Sequence, residues 1–160
     1  MSQAEIIKIQ EIIDHYRQLK IKFMQFVSHC ELLLSDGNLK DIESKGSTDS
    51  GMLLSVLDTP VVVKFSQVIS PEKIALGRVD FIKQDELDAG GHELVYSLYF
   101  NPLGNILESI SDTFSNRRIF DEHDVPHVLL RFMQAFLRTM HVKESVQQNQ
   151  LKKDEERNGK

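Results

Sequence analysis

The chain has 160 residues, 41% of them hydrophobic and 27% charged, with 24 acidic against 19 basic side chains and a formal charge of −5. Such a length supports one domain with a real core, and the composition argues against wholesale disorder, fibrous repeats and apolar runs of the roughly 20 residues that a membrane span needs. Arg117 and Arg118 form an isolated basic pair rather than a basic face, which argues against nucleic acid as a partner.

One cysteine makes no internal disulfide, which fits a reducing compartment. Glu5, Lys8 and Glu11 interrupt what would have to be the apolar core of a signal peptide. Together these features predict a cytoplasmic protein with no membrane association.

A first helix is predicted from Ser2 or Gln3 to Leu34. Its apolar residues fall at alternating three- and four-residue steps, Ile9, Ile12, Tyr16, Leu19, Phe23, Phe26, Cys30 and Leu33, the a and d positions of a heptad. A second row, Ile6, Ile13, Val27 and Leu34, lies at the e position and widens the apolar face beyond a two-stranded seam. This width predicts a stripe shared between the domain's own sheet and a second protomer. Ser2 with Glu5 three residues on has the spacing of a capping box, and Asp36-Gly37-Asn38 stops the helix.

Residues 36–60 are rich in Gly, Ser and Asp and read as a flexible loop, with Met52–Leu57 as either a helical turn or a lead-in strand. From Val61 the apolar period becomes two: Val61, Val63, Phe65 and Ile69 are expected to face the core, and Lys64, Ser66 and Val68 the other side. Ser70-Pro71 turns the chain into a second strand over about Lys73–Gln84. There the parity of Ile74 and Leu76 differs from that of Val79 and Phe81, which predicts a β-bulge at Gly77. An acidic loop from Asp85 to Gly91 leads to a third strand, about His92–Phe100, with Leu94, Tyr96, Leu98 and Phe100 on one face. Asn101-Pro102-Leu103-Gly104 forms a turn into a fourth strand through Ile106, Glu108 and Ile110.

Phe114, Ile119 and Phe120 indicate that the following segment crosses the core. A second helix starts at the N-cap Asp124 with Pro126 in its first turn, and its row Val125, Leu129, Phe132, Phe136 and Met140, widened by Val128 and Met133, must be buried. The expected fold is α+β: a long N-terminal helix, a four-stranded antiparallel meander, and a C-terminal helix packed on the same sheet face. Residues 1–146 form the domain, and residues 147–160 read as a disordered polar tail.

Candidate chemistry is sparse. His123 and His127 have a spacing at which a helix presents two imidazoles to a metal, but Pro126 and the N-cap lie between them, and nearby acids suit the helix dipole. His29 and Cys30 are adjacent on a helix and so point about 100° apart, which does not make a base–nucleophile pair; Cys30 reads as a small buried hydrophobe. Asp85, Glu86 and Asp88 lack the spacing of an EF-hand, and Gly90-Gly91 and Gly104-Asn105 lack the strand-to-helix setting of a phosphate loop. Ser47-Thr48-Asp49-Ser50 carries no more than turn chemistry. No enzyme signature, metal set or cofactor motif is expected.

Two functional readings follow. The first is a non-catalytic protein-binding module, a small acidic adaptor, chaperone-like factor or inhibitor (immunity) protein. It would homodimerise and bind another protein, a basic one included, through Tyr16, Phe23, Phe26, Val62, Val95 and Tyr99, rimmed by acid from the 36–60 and 85–93 loops. The second is a small-molecule-sensing domain with a ligand between sheet and helices, lined by Phe65, Tyr96, Leu98 and Phe132.

Overall fold

The computed structural model describes residues 1–37, 39–84, 91–110 and 113–140. Helix α1 runs Gln3–Ser35 and carries the expected capping box: Ser2 Oγ accepts from the Glu5 amide at 3.2 Å, and the Glu5 carboxylate accepts from the Ser2 amide at 3.2 Å. Gly37, at φ +70°, supplies the left-handed residue just past the cap Asp36.

The predicted loop at 36–60 is instead structured. It contains strands β1, Ile42–Thr48, and β2, Gly51–Val56, paired antiparallel, so the sheet has six strands rather than four. The small polar residues that imitate a loop have local duties. Gly46 sits at φ +144° beside the register shift of β1, Asp49 and Ser50 form the tip of the β1–β2 hairpin, and β1 is an edge strand with only Ile42 buried. The ambiguous Met52–Leu57 segment is strand. Leu57 and Asp58, at φ +49° and +64°, form the two-residue turn into β3, the geometry of a type I′ hairpin. A branched side chain is strained there, so Leu57→Asn is expected to stabilise by about 1 kcal/mol and raise Tm by about 2–4 °C in a calorimetric scan.

The remaining strands are β3, Thr59–Ile69, β4, Ala75–Gln84, β5, His92–Phe100, and β6, Ile106–Leu107, in the spatial order 1-2-3-4-5-6. The meander was expected; the bulge is elsewhere. Pairing of β3 with β4 is continuous from Val61↔Lys83 to Ile69↔Ala75. The slip lies in β5, where Phe81 pairs with Tyr96 but Ile82 with Leu94, leaving Val95 as the extra residue. Leu94 therefore shares the face of Ile82 and is 52% exposed instead of joining Tyr96, Leu98 and Phe100. The apparent phase change near Gly77 reflects apolar residues on both faces: Leu76 is buried on one, Val79 and Phe81 on the other.

One face of the sheet carries the core. Phe23 of α1 stacks on Phe65 at 5.2 Å, and Phe65 meets Phe100 at 6.2 Å. A second helix over residues 125–140, α2, stacks Phe132 on Phe81 at 4.5 Å, so both helices cover the same face. Val125, Val128, Leu129, Phe132 and Phe136 of α2 are buried as their spacing required, whereas Met133 and Met140 of the same expected row are only partly buried against the core. Ile69 keeps the parity of this face but lies at the strand's far end, 60% exposed. The fourth predicted strand shrinks to β6. Beyond it the chain folds back along that edge, with the Ile106 amide donating to Arg117 O and the Ile119 amide to Gly104 O. Ile119 is buried as expected, whereas Phe114 is exposed. The acidic loop at 85–90 and the polar tail at 147–160 lie outside the described residues.

Candidate functional site

A helix of 33 residues is about 50 Å long, while six strands spaced about 4.8 Å apart span only about 24 Å. α1 touches β1, β3 and β4, and its first buried residue is Leu19. Every residue from Met1 to Gln18 is exposed. The N-terminal half thus projects past the sheet, carrying Ile6, Ile9, Ile12, Ile13 and Tyr16 along a stripe continuous with the docked face, Ile12 being 60% exposed. Tyr16 sits at the junction, tilted against Phe65 at 6.1 Å. One turn further on, Lys20 pairs with Asp49 at the β1–β2 tip, 2.9 Å away, and this bond raises the lysine pKa and lowers that of the aspartate.

The sheet face opposite the helices carries a second apolar feature. Leu53, Val62, Ile82 and Leu94 are paired side by side across β2, β3, β4 and β5. Next to this row runs a polar one, where Asp80 accepts from Arg78 Nε at 2.8 Å and Ser97 Oγ at 2.6 Å, and the Arg78 guanidinium lies 5.7 Å from the Tyr99 ring. A shallow depression of about 760 Å³ borders the row, lined by Lys45, Gly51, Leu53, Val62, Lys64 and Gln84.

A third feature is a polar cleft of about 320 Å³ between Tyr96 of β5, the strand-like segment after β6, and α2. His127 stands at its wall between Arg117 Nη1, in close contact with His127 Nε2, and Arg131 Nε at 3.4 Å. Burial and the two guanidinium groups push the imidazole pKa down against the pull of Glu108 and Asp124. Burial pushes the Tyr96 phenol up to about 12, so it stays a hydrogen-bond donor at neutral pH. His123 is turned outward beside Glu122 at 3.7 Å, so the two histidines take separate partners. Among the described residues no group of three or more His, Cys, Asp or Glu side chains is placed to hold a metal. Burial raises the Cys30 thiol, which keeps it protonated and unreactive.

The residues singled out as a partner surface are dispersed. Phe23 and Phe26 are wholly buried in the chain's own core and present no surface in this fold. Val62 and Tyr99 lie half-buried on the open sheet face, Val95 is the bulge residue packed against the core cluster, and Tyr16 marks the base of the projecting helix. Ile6, Ile9, Ile12 and Ile13 are visible in sequence as part of the stripe; where docking stops is not. Of the four residues expected to line a ligand pocket, Phe65, Leu98 and Phe132 are close-packed core and only Tyr96 reaches a cleft. Comparison with protein-family models, curated proteins and solved structures finds no match.

Proposed function

We propose that the protein is a non-catalytic, cytoplasmic protein-binding module that dimerises through the projecting half of α1 and offers its open sheet face to a further protein. The observation that carries this reading is the exposed isoleucine stripe on residues 6–16, because an apolar, heptad-spaced helix face surrounded by water is stabilised by a second helix. The projecting segment bears Glu5, Glu11 and Asp14 against Lys8 and Arg17, so it lacks the basic face that draws amphipathic helices to anionic lipid. Among the described residues no helix is long and apolar enough to cross a membrane. The row Leu53–Val62–Ile82–Leu94 supplies the apolar centre of the second surface, with Tyr99 on the same face beyond the polar row of Asp80 and Ser97.

Exchanging Ile9 and Ile12 for glutamate tests the reading. Both side chains are exposed, so the variant should keep its Tm to within about 2 °C. Light scattering and analytical ultracentrifugation should report a dimer for the natural chain and a monomer for the variant. A natural chain that is monomeric and retains no protein partner in a pull-down overturns the proposal.

A second reading, a small-molecule-sensing domain, draws on a different observation, the polar cleft beside α2. It does not require self-association.

A further inference from the structure

The described residues that line the cleft beside α2 include two guanidinium groups and one carboxylate. Arg117 and Arg131 both press on Nε2 of His127, a nitrogen that accepts a hydrogen bond but neutralises neither guanidinium. Glu108, 3.5 Å from Arg131 Nε, is the one carboxylate among the described residues lining the space. The nearby Asp124 uses Oδ2 to accept the Arg118 amide at 2.9 Å. Asp124 keeps its charge and faces His127 from outside the lining, so the arginines outnumber the acids, two to one, only among the described residues that line the cleft.

We infer that the cleft formed by Tyr96, Ser115, Arg117, His127 and Arg131 binds the phosphoryl group of a small molecule. Three properties select that chemistry. Guanidinium forks match tetrahedral and planar oxyanions through paired N–H donors. His127 adds a third cation once protonated, which favours a dianion over a monoanionic carboxylate. A space of about 320 Å³ lies at the small end of ligand sites, large enough for a phosphate ester of a few carbons and too small for a folded partner. The Tyr96 phenol adds a neutral donor on the sheet side of the cleft.

Acid should strengthen binding. Burial, Arg117 and Arg131 disfavour the imidazolium of His127, with Glu108 and Asp124 acting in the opposite sense. A bound dianion stabilises the imidazolium, so affinity rises as pH falls through the histidine range. A phosphate monoester loses charge near pH 6, and sulfate, which does not, isolates the contribution of His127.

The test is calorimetric titration of the full chain with inorganic phosphate, glycerol 3-phosphate, sulfate and acetate. Saturable binding of the first three and weaker binding of acetate is expected; the two phosphate probes separate the free ion from an ester as the favoured form. Arg117→Gln and Arg131→Gln should each weaken binding about tenfold or more, and His127→Gln should flatten the pH dependence of sulfate binding. Lys40→Gln, at an exposed lysine outside the lining of the cleft, should change nothing. If an arginine variant misfolds, the His127 ring resonances of the natural chain provide the readout: sulfate should shift them and raise the imidazole pKa. No saturable binding at millimolar phosphate, binding that survives both arginine substitutions, or His127 resonances indifferent to sulfate overturns the inference. None of these results depends on the oligomeric state, so failure here leaves the dimer proposal standing.

Discussion

Phe23→Ala is expected to destabilise the protein by about 3–5 kcal/mol, lowering Tm by about 6–20 °C, with no direct effect on self-association. Phe23 is completely buried, stacked on Phe65 at 5.2 Å and tilted against Phe26 at 6.1 Å, so truncation removes apolar burial and leaves a cavity that a close-packed core fills only in part. The loss is a large share of the roughly 5–15 kcal/mol that separates folded from unfolded domains. Urea denaturation monitored by circular dichroism should show a lower midpoint with an unchanged slope. The contrast with Ile9 and Ile12 is what makes the experiment decisive. One heptad pattern runs through all of these positions, yet only those from Leu19 onward are docked. A Phe23→Ala variant that stays as stable as the natural chain but becomes monomeric would mean that α1 meets a partner along its whole length, and the docking described above would be wrong. Changing both Phe23 and Phe26 to serine should yield an insoluble chain for the same reason.

The second large effect is expected at Gly77. An added Cβ there would lie 2.2 Å from Cζ and 2.4 Å from Cε1 of Phe100, a ring that is itself fully buried and cannot swing into solvent. Gly77→Ala should therefore destabilise by about 1–3 kcal/mol through overpacking, and Gly77→Val by more. Phe100→Ala alone should cost about 3–5 kcal/mol. In the Phe100→Ala background the Gly77→Ala cost should vanish, because the space that the methyl needs is then empty. A double-mutant cycle should thus give a coupling of about 1–3 kcal/mol. If Gly77→Ala is equally costly in both backgrounds, the glycine serves a backbone need and the close approach of the ring is not its reason.

Gly77 illustrates how far local pattern carries. The switch in parity from Leu76 to Val79 is real in the sequence, and a bulge is one way to produce it. The structure produces it by burying Leu76 on the face opposite to Val79, while the register slips one strand away at Val95. Pairing decides between these outcomes, and pairing involves residues on another strand. The hairpin of β1 and β2 escaped for a related reason. Gly46, Asp49 and Ser50 are what a bulge and a tight turn need, and in a chain read without partners they look the same as a flexible loop.

The arginine-flanked cleft was equally hidden. His127 was visible as half of a metal pair with His123, yet the groups that define its surroundings, Arg117 and Arg131, come from a segment beyond β6 and from the next turn of α2. Arg131 stands four residues from His127 and so lies on the same helix face, a relation that spacing alone would reveal. Arg117 reaches the site only because residues after β6 fold back to bond Ile106 and Gly104.

Signals that act over a few residues were therefore readable directly: the capping box at Ser2, the left-handed stop at Gly37, the start of α2 near Asp124, its buried row, and the antiparallel meander with both helices on one face. They were readable because capping, turn conformation and apolar period each depend on neighbours within about one or two helical turns. The tertiary structure alone decided the number of strands, the bulge at Val95, the exposure of Leu94, the cleft around His127, and the point at Leu19 where α1 leaves the sheet. These depend on strand register and on the width of the sheet relative to the helix, which are set by contacts between distant parts of the chain. A heptad stripe looks the same in sequence whether its far side meets strands or water.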